Sequence, residues 1–193
     1  MADELRDERV DLEVVSTERV YEGAVWNVRS DTVRYGDGEM TRQYVEHPGA
    51  AAVVAIDDEG RVVLVQQYRH PIKERDWEIP AGLLDVAGEP PLETAKRELT
   101  EEVDLAAERW QHLVSMHTTP GGNDEVVHLY LARGLSDATT DFKREHEESD
   151  MRVERVPLAD VIDGVLAGHL RNGILAVGAL AAAEVLRREA ASA

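Results

Sequence analysis

The stretch GLLDVAGEPPLETAKRELTEEVDL, residues 82–105, decides how this chain folds and what its centre can hold. Pro90 and Pro91 suit a first helical turn, where a missing N–H costs nothing. After them Leu92, Ala95, Leu99 and Val103 recur at spacings of three and four, which predicts a helix with one buried stripe. At the helical pitch, Glu98, Glu102 and Glu101 project at about 0°, about 40° and about −60°. They share an arc of roughly 100°, and the apolar stripe is centred roughly 105° away. The glutamates therefore flank the buried face. Like charges crowded at the edge of a core repel, and a divalent cation would relieve them. Oxygen-only ligands point to magnesium or manganese. Taken alone, the run also reads as a solvated acidic helix face. Its surroundings favour the cation: Arg97 adjoins the cluster, Glu89 precedes Arg97 by eight residues and is placed to orient it, and a glycine-containing loop leads in from a strand.

Upstream of this helix, residues 50–56 and 61–68 are apolar strand-like runs joined by Asp57-Asp58-Glu59-Gly60, a hairpin signal. Residues 77–84 read as one short strand entering the loop. Further upstream, alternating runs at 12–21, 25–35 and 40–46 predict a small sheet, with Gly36-Asp37-Gly38 as a tight turn. His47-Pro48-Gly49 breaks the pattern and marks a boundary. Residues 1–11 are charged and aperiodic, a flexible arm. The expected organisation is thus an arm at 1–11, a β subdomain at 12–48 and a main domain at 49–193. Downstream, strands are expected at 110–117, 126–133 and 153–157, a polar acidic loop at 137–149, and helices at 158–166 and 174–188.

The whole chain has 193 residues and 43% hydrophobic content, enough for one domain with a small appendage. Its 21 basic and 39 acidic residues leave a formal charge of −18. That balance argues against a nucleic-acid polymer or an anionic membrane as partner. A small phosphorylated ligand remains open, provided a cation or a few arginines reverse the sign locally. The absence of cysteine excludes disulfides, thiol catalysis and thiolate-bound zinc. The seven histidines show no metal spacing. The apolar run at 173–186 is too short to span a bilayer. The opening MADELRDERVDLE lacks the pattern of a secretory signal. A cytoplasmic location is expected.

The helix and its lead-in closely resemble the Nudix box, G-x5-E-x7-R-E-U-x-E-E-x-G-U with U a bulky apolar residue. Glu89, Arg97, Glu98, Leu99, Glu101, Glu102 and Leu105 match it in register. Two positions depart. Gly82 stands one residue early, which lengthens the loop in a way Gly88 can absorb. Asp104 occupies the place of the final glycine, where aspartate tolerates the left-handed conformation. Within the family the chain looks most like the ADP-ribose pyrophosphatase branch. Pro120 follows position 104 by sixteen residues and opens TPGGNDE, 119–125; VQQYRHP, 65–71, resembles the strand whose arginine meets the diphosphate; and a β appendage precedes the core.

This resemblance implies a Nudix α/β/α sandwich with a small N-terminal antiparallel β subdomain, assembled as a homodimer. It implies magnesium-dependent hydrolysis of ADP-ribose to AMP and ribose 5-phosphate, with manganese as a substitute ion. Glu98, Glu101, Glu102 and the Ala81 carbonyl would hold the metal, with Arg97 and Glu89 as a supporting pair. A general base would come from REHEESDM, 144–151, with Glu147 ahead of Glu148. Arg69 would meet a phosphate, although it also reads as half of a surface salt bridge. Glu78 reads either as a further ligand or substrate contact, or as half of a strand-edge salt bridge. Gly121 and Gly122 would lie beside the substrate, and Trp26 and Arg42 would grip adenine, although Trp26 also reads as core or dimer interface. Hydrolysis of another nucleoside diphosphate sugar or a dinucleotide, or nucleotide sensing without catalysis, are the competing readings. An isoprenoid isomerase is disfavoured by the absence of cysteine.

Overall fold

The computed structural model describes residues 5–144 and 150–192. Alternating polar and apolar residues near the N-terminus form three strands, β1 (Val14–Glu22), β2 (Asn27–Tyr35) and β3 (Gly38–Glu46). They pair antiparallel in chain order. Tyr35 and Gly38 close the β2–β3 ladder, leaving Gly36-Asp37 as a two-residue turn. Thr119–Asp124, far along the chain, belongs to the same compact unit. The Val45 N–H donates to the Gly122 carbonyl at 2.9 Å, and the His47 N–H donates to Asp124 Oδ1 at 2.8 Å.

The second unit is Pro48–Thr118 together with the chain from Glu125 onward. Its elements are β4 (Ala50–Ile56), β5 (Arg61–Arg69), β6 (Glu74–Glu78), β7 (Ala81–Leu83), α1 (Pro91–Val103), β8 (Leu105–His117), β9 (Val126–Asp137), β10 (Arg152–Pro157), α2 (Leu158–Leu166) and α3 (Gly173–Ser192). The sheet runs β10-β5-β4-β9-β8, with β6 paired to β5 and β7 to β4. Only β4 and β9 run parallel among these pairs. Every residue of β4 is buried, because helices cover both sheet faces. The two-residue period then sorts its side chains. Ala51, Val53 and Ala55 pack in one cluster with Ala95, Leu99 and Val103 of α1. Ala52, Val54 and Ile56 pack in the other with Val161 of α2 and Leu175, Ala179 and Ala182 of α3. The result is an α/β/α sandwich.

Most elements fall where the sequence pattern puts them, with two differences. The single strand expected at 77–84 is two strands. Pro80 cannot donate to a ladder, so the chain leaves β5 after Glu78 and resumes on β4 at Ala81. Strands β8 and β9 are longer than expected, because their ladder continues past the facing arginines Arg109 and Arg133, through Ala107–Leu135 and Ala106–Ser136, out to Leu105 and Asp137. Among the described residues, no helix is long and apolar enough to cross a membrane.

The β4–β5 turn is held by one buried carboxylate. Asp57 Oδ1 accepts the Glu59 and Arg61 N–H groups at 3.1 and 2.9 Å, and Oδ2 accepts Arg61 Nε at 2.9 Å. Burial favours the neutral acid, but the bonds from Arg61 and Glu59 win and hold the Asp57 carboxyl below its ordinary 3.8. A depressed folded pKa means the stabilisation is complete above the unfolded value and drains as pH falls through the folded one. Asp57→Ala should therefore cost about 2–3 kcal/mol at pH 7, the scale for a buried charged hydrogen-bond group. The deficit should shrink in urea titrations below about pH 4. A deficit that stays constant down to pH 2 would show that the turn does not depend on the carboxylate's charge.

Candidate active site

Helix α1 begins after Pro90 and ends at Asp104, whose φ of 56° and ψ of 38° are left-handed. The Asp104 N–H closes the last turn on the Thr100 carbonyl at 3.1 Å. Aspartate thus performs the cap that glycine usually supplies. The lead-in loop carries Gly88 at φ 81°, a conformation glycine adopts without strain. Next to it, Glu89 accepts Thr94 Oγ1 at 2.8 Å and a two-pronged contact from Arg97, Nη2 at 3.1 Å and Nε at 3.3 Å. The Arg97 and Thr94 donors hold the Glu89 carboxyl below its ordinary range. Arg97 also donates through Nη1 to Glu98 Oε1 at 2.6 Å and to Glu101 Oε2 at 3.0 Å. Burial works against its charge, yet the three carboxylates raise its pKa further above the usual arginine value.

Strand β7 meets the same helix from the other side. Glu102 is only 5% exposed, and its Oε2 accepts the Ala81 N–H at 3.0 Å. Gly82 lies so close to Glu98 that a Cβ there would stand 2.0 Å from Oε1. Three carboxylates and the β7 backbone therefore share one edge of the sandwich. Among the described residues no three carboxylates or imidazoles already converge on a common point. Glu98 and Glu101 are turned to Arg97, and Glu102 to Ala81. The donor set is oxygen only, and Gly82 leaves space where any side chain would displace Glu98. Both features fit a small hard divalent cation.

The remaining candidates are distributed differently. Arg69 and Glu78 face each other as a fork, Nε to Oε1 and Nη2 to Oε2, each at 2.7 Å, with Glu78 buried. Of the two readings of Glu78, this geometry displays the salt bridge. Trp26, Arg42, Gly121 and Gly122 all belong to the first unit. Trp26 is 49% exposed, so it is not core of this chain, and its ring centroid lies 5.8 Å from that of His47. Arg42 donates to the Thr41 carbonyl at 2.9 Å. Glu147 and Glu148 lie outside the described residues. Thr94 escaped the sequence reading, because its bond to Glu89 depends on how the lead-in loop folds back; its only signal was a hydroxyl in the first turn of a helix.

A model of the NUDIX domain matches residues 46–173. The chain belongs to the Nudix hydrolase family. This Nudix hydrolase is 49% identical over 172 residues to the ADP-ribose pyrophosphatase of Mycobacterium tuberculosis, covering 89% of this chain and 83% of that one. It is 45% identical over 123 residues to the methanol dehydrogenase activator of Bacillus methanolicus, covering 63% and 66%. A solved structure of an ADP compounds hydrolase superposes with a TM-score of 0.80 at 20% identity, covering 95% of this chain and 98% of that one. At that identity the likeness concerns the fold alone.

Proposed function

We propose that this Nudix hydrolase cleaves the diphosphate of ADP-ribose to AMP and ribose 5-phosphate with magnesium, or manganese in its place. The observation that carries the reading is the β7–α1 edge, where Arg97 and Ala81 hold Glu98, Glu101 and Glu102 together. The substrate is supported by the 49% identity to an ADP-ribose pyrophosphatase. A bound cation would neutralise the diphosphate in an acidic protein and stabilise charge developing on phosphorus. Glu98, Glu101, Glu102 and the Ala81 carbonyl would hold it. Glu89 and Thr94 fix Arg97, and Arg97 aims the glutamates, the usual task of groups behind a ligand set.

Hydrolysis adds water oxygen to one phosphorus and breaks its bond to the bridging oxygen, so a base must take the water's proton. Glu147 is proposed for that role, with Glu148 as the alternative. Arg69 would donate its fork to a phosphate, exchanging Glu78 for the substrate. Trp26 and Arg42 would hold adenine by stacking and polar contact, with Gly121 and Gly122 beside the substrate. In this reading residues 12–48 serve a homodimer and its substrate, residues 49–193 supply the chemistry, and the protein works in the cytoplasm. The −18 charge disfavours nucleic-acid polymers and membranes as partners.

A panel of diphosphates assayed with magnesium tests the substrate. The highest kcat/KM is expected on ADP-ribose; a better dinucleotide or another nucleoside diphosphate sugar would reassign it, and binding without turnover on any of them would mark a sensor. Glu147→Gln should lower kcat by about 10²-fold or more, the size of a general-base contribution, with little change in KM. A large loss in Glu148→Gln alone would move the base by one residue. Mild losses in both would place it elsewhere.

A further inference from the structure

The C-terminal half of α1 is electrostatically awkward. Glu98, Glu101 and Glu102 crowd the end of the helix where the macrodipole is already negative, and the last turn contains no basic residue. The missing cation comes from outside the helix. Arg144 Nε donates to the Glu101 carbonyl at 2.8 Å, and Nη2 donates to Asp104 Oδ2 at 2.7 Å. The first is one of the last helical carbonyls, which lack intrahelical partners. The second is the side chain of the left-handed cap. The Ala138 N–H, from the same segment as Arg144, adds a bond to the Asp104 carbonyl at 2.9 Å.

Asp104 therefore has two tasks that glycine could not combine. It takes the left-handed conformation, and its carboxylate receives a guanidinium. We infer that Arg144 is a positioning residue for the glutamate edge: through Glu101 and Asp104 it fixes the last turn of α1, and so the direction in which Glu101 and Glu102 project. This rests on the reading of those glutamates as metal ligands. Two effects of Arg144 oppose each other there. Its charge repels a nearby cation, whereas its fork orders the groups that bind one. The hydrogen bonds are short and the side chain is partly buried, while the charge is offset by the Asp104 carboxylate it meets. Ordering should win.

The deciding measurement is Mn²⁺ affinity of the full-length protein without substrate, from the electron paramagnetic resonance of the free ion. Arg144→Met should weaken binding about tenfold, the low end for groups that support ligands from behind. Asp104→Gly keeps the cap and removes the carboxylate, so it should weaken binding about two- to fivefold, the scale of one charge at a helix end. The double variant should bind no worse than Arg144→Met, because both changes remove one contact. Arg144→Lys should recover part of the affinity, restoring the charge without the fork. Where Glu102→Gln loses Mn²⁺ binding, unchanged or tighter binding in Arg144→Met, or a double variant whose loss is the product of the two, would overturn the inference. Glu102→Gln serves as the control for the ligand reading itself. Should that variant bind Mn²⁺ like wild type, the glutamates are not the ligands. Amide hydrogen exchange at residues 100–104 then decides: faster exchange in Arg144→Met upholds the positioning role, and unchanged exchange overturns it.

Discussion

Glu102→Gln is expected to abolish turnover while leaving the protein as stable as wild type or slightly more so. Glu102 is buried at the β7–α1 edge, and its Oε2 accepts the Ala81 N–H. A glutamine side chain has nearly the same shape, and its carbonyl oxygen can accept the same bond. The substitution therefore spares the packing. It removes a negative charge that Glu98 and Glu101 repel, which favours the apo protein. On the proposed function it also removes a charged ligand from a site meant to bind a divalent cation and a diphosphate together. The expected loss in kcat is on the order of 10³-fold, the scale of losing a main electrostatic stabiliser of the transition state. Thermal unfolding and Mg²⁺-dependent turnover of the purified variant check it. Turnover within a factor of two of wild type would remove Glu102 from the site.

The sandwich was legible because its centre obeys two simple periods. In β4 the run AAAVVAI is apolar on both faces, which only a strand covered on both sides can use, and the structure buries it completely. In α1 the stripe Leu92, Ala95, Leu99 and Val103 follows the helical pitch, and Ala95, Leu99 and Val103 are buried as it predicts. The reading failed where partner choice, not local pattern, decides the structure. Residues 77–84 alternate like one strand, but Pro80 divides them between two neighbours, and a neighbour cannot be read from a single segment. The ends of β8 and β9 failed for a related reason: Ala106, Ala107, Arg109, Arg133 and Gly134 carry no strand-like alternation, yet the two backbones go on pairing through them.

The candidate site divides along the same line. Three glutamates on one helix share an arc by geometry alone, so that part needed only spacing. Arg97 and Glu89, eight residues apart, meet because the loop turns back at Gly88, and the Nudix resemblance anticipated their pairing. The alternatives for Glu78 could not be resolved from sequence, because the Arg69 fork reaches it across a strand pair nine residues apart. Nor could the surroundings of Trp26: an aromatic residue near a boundary reads as an adenine contact, as core or as dimer interface, and only its 49% exposure removes the second.

Gly82→Ala should separate function from stability at this site. Gly82 pairs with Ala51 inside the β4–β7 ladder, and its backbone has no conformation that only glycine adopts. Alanine therefore suits the strand, and the cost lies in what the new methyl meets. It would stand 2.0 Å from Glu98 Oε1, 2.1 Å from its Cδ and 2.7 Å from its Cγ, with no backbone atom among these nearest three. The carboxylate can swing aside only by giving up its 2.6 Å bond from Arg97, so the stability loss should be about 1–2 kcal/mol, that of one part-buried charged hydrogen bond. Glu98 cannot swing aside and keep its place beside Glu102. With one proposed ligand displaced, kcat/KM should fall about 10- to 100-fold and the magnesium needed for half-maximal rate should rise. The double variant Gly82→Ala/Glu98→Ala should be no slower than Glu98→Ala, because the methyl acts only through the carboxylate it displaces. Two results would count against this account of the glycine. One is an activity loss that persists in the double variant relative to Glu98→Ala, which would mean that the methyl disturbs β7 itself. The other is Gly82→Ala turning over like wild type, which would mean that Glu98 can serve from more than one position.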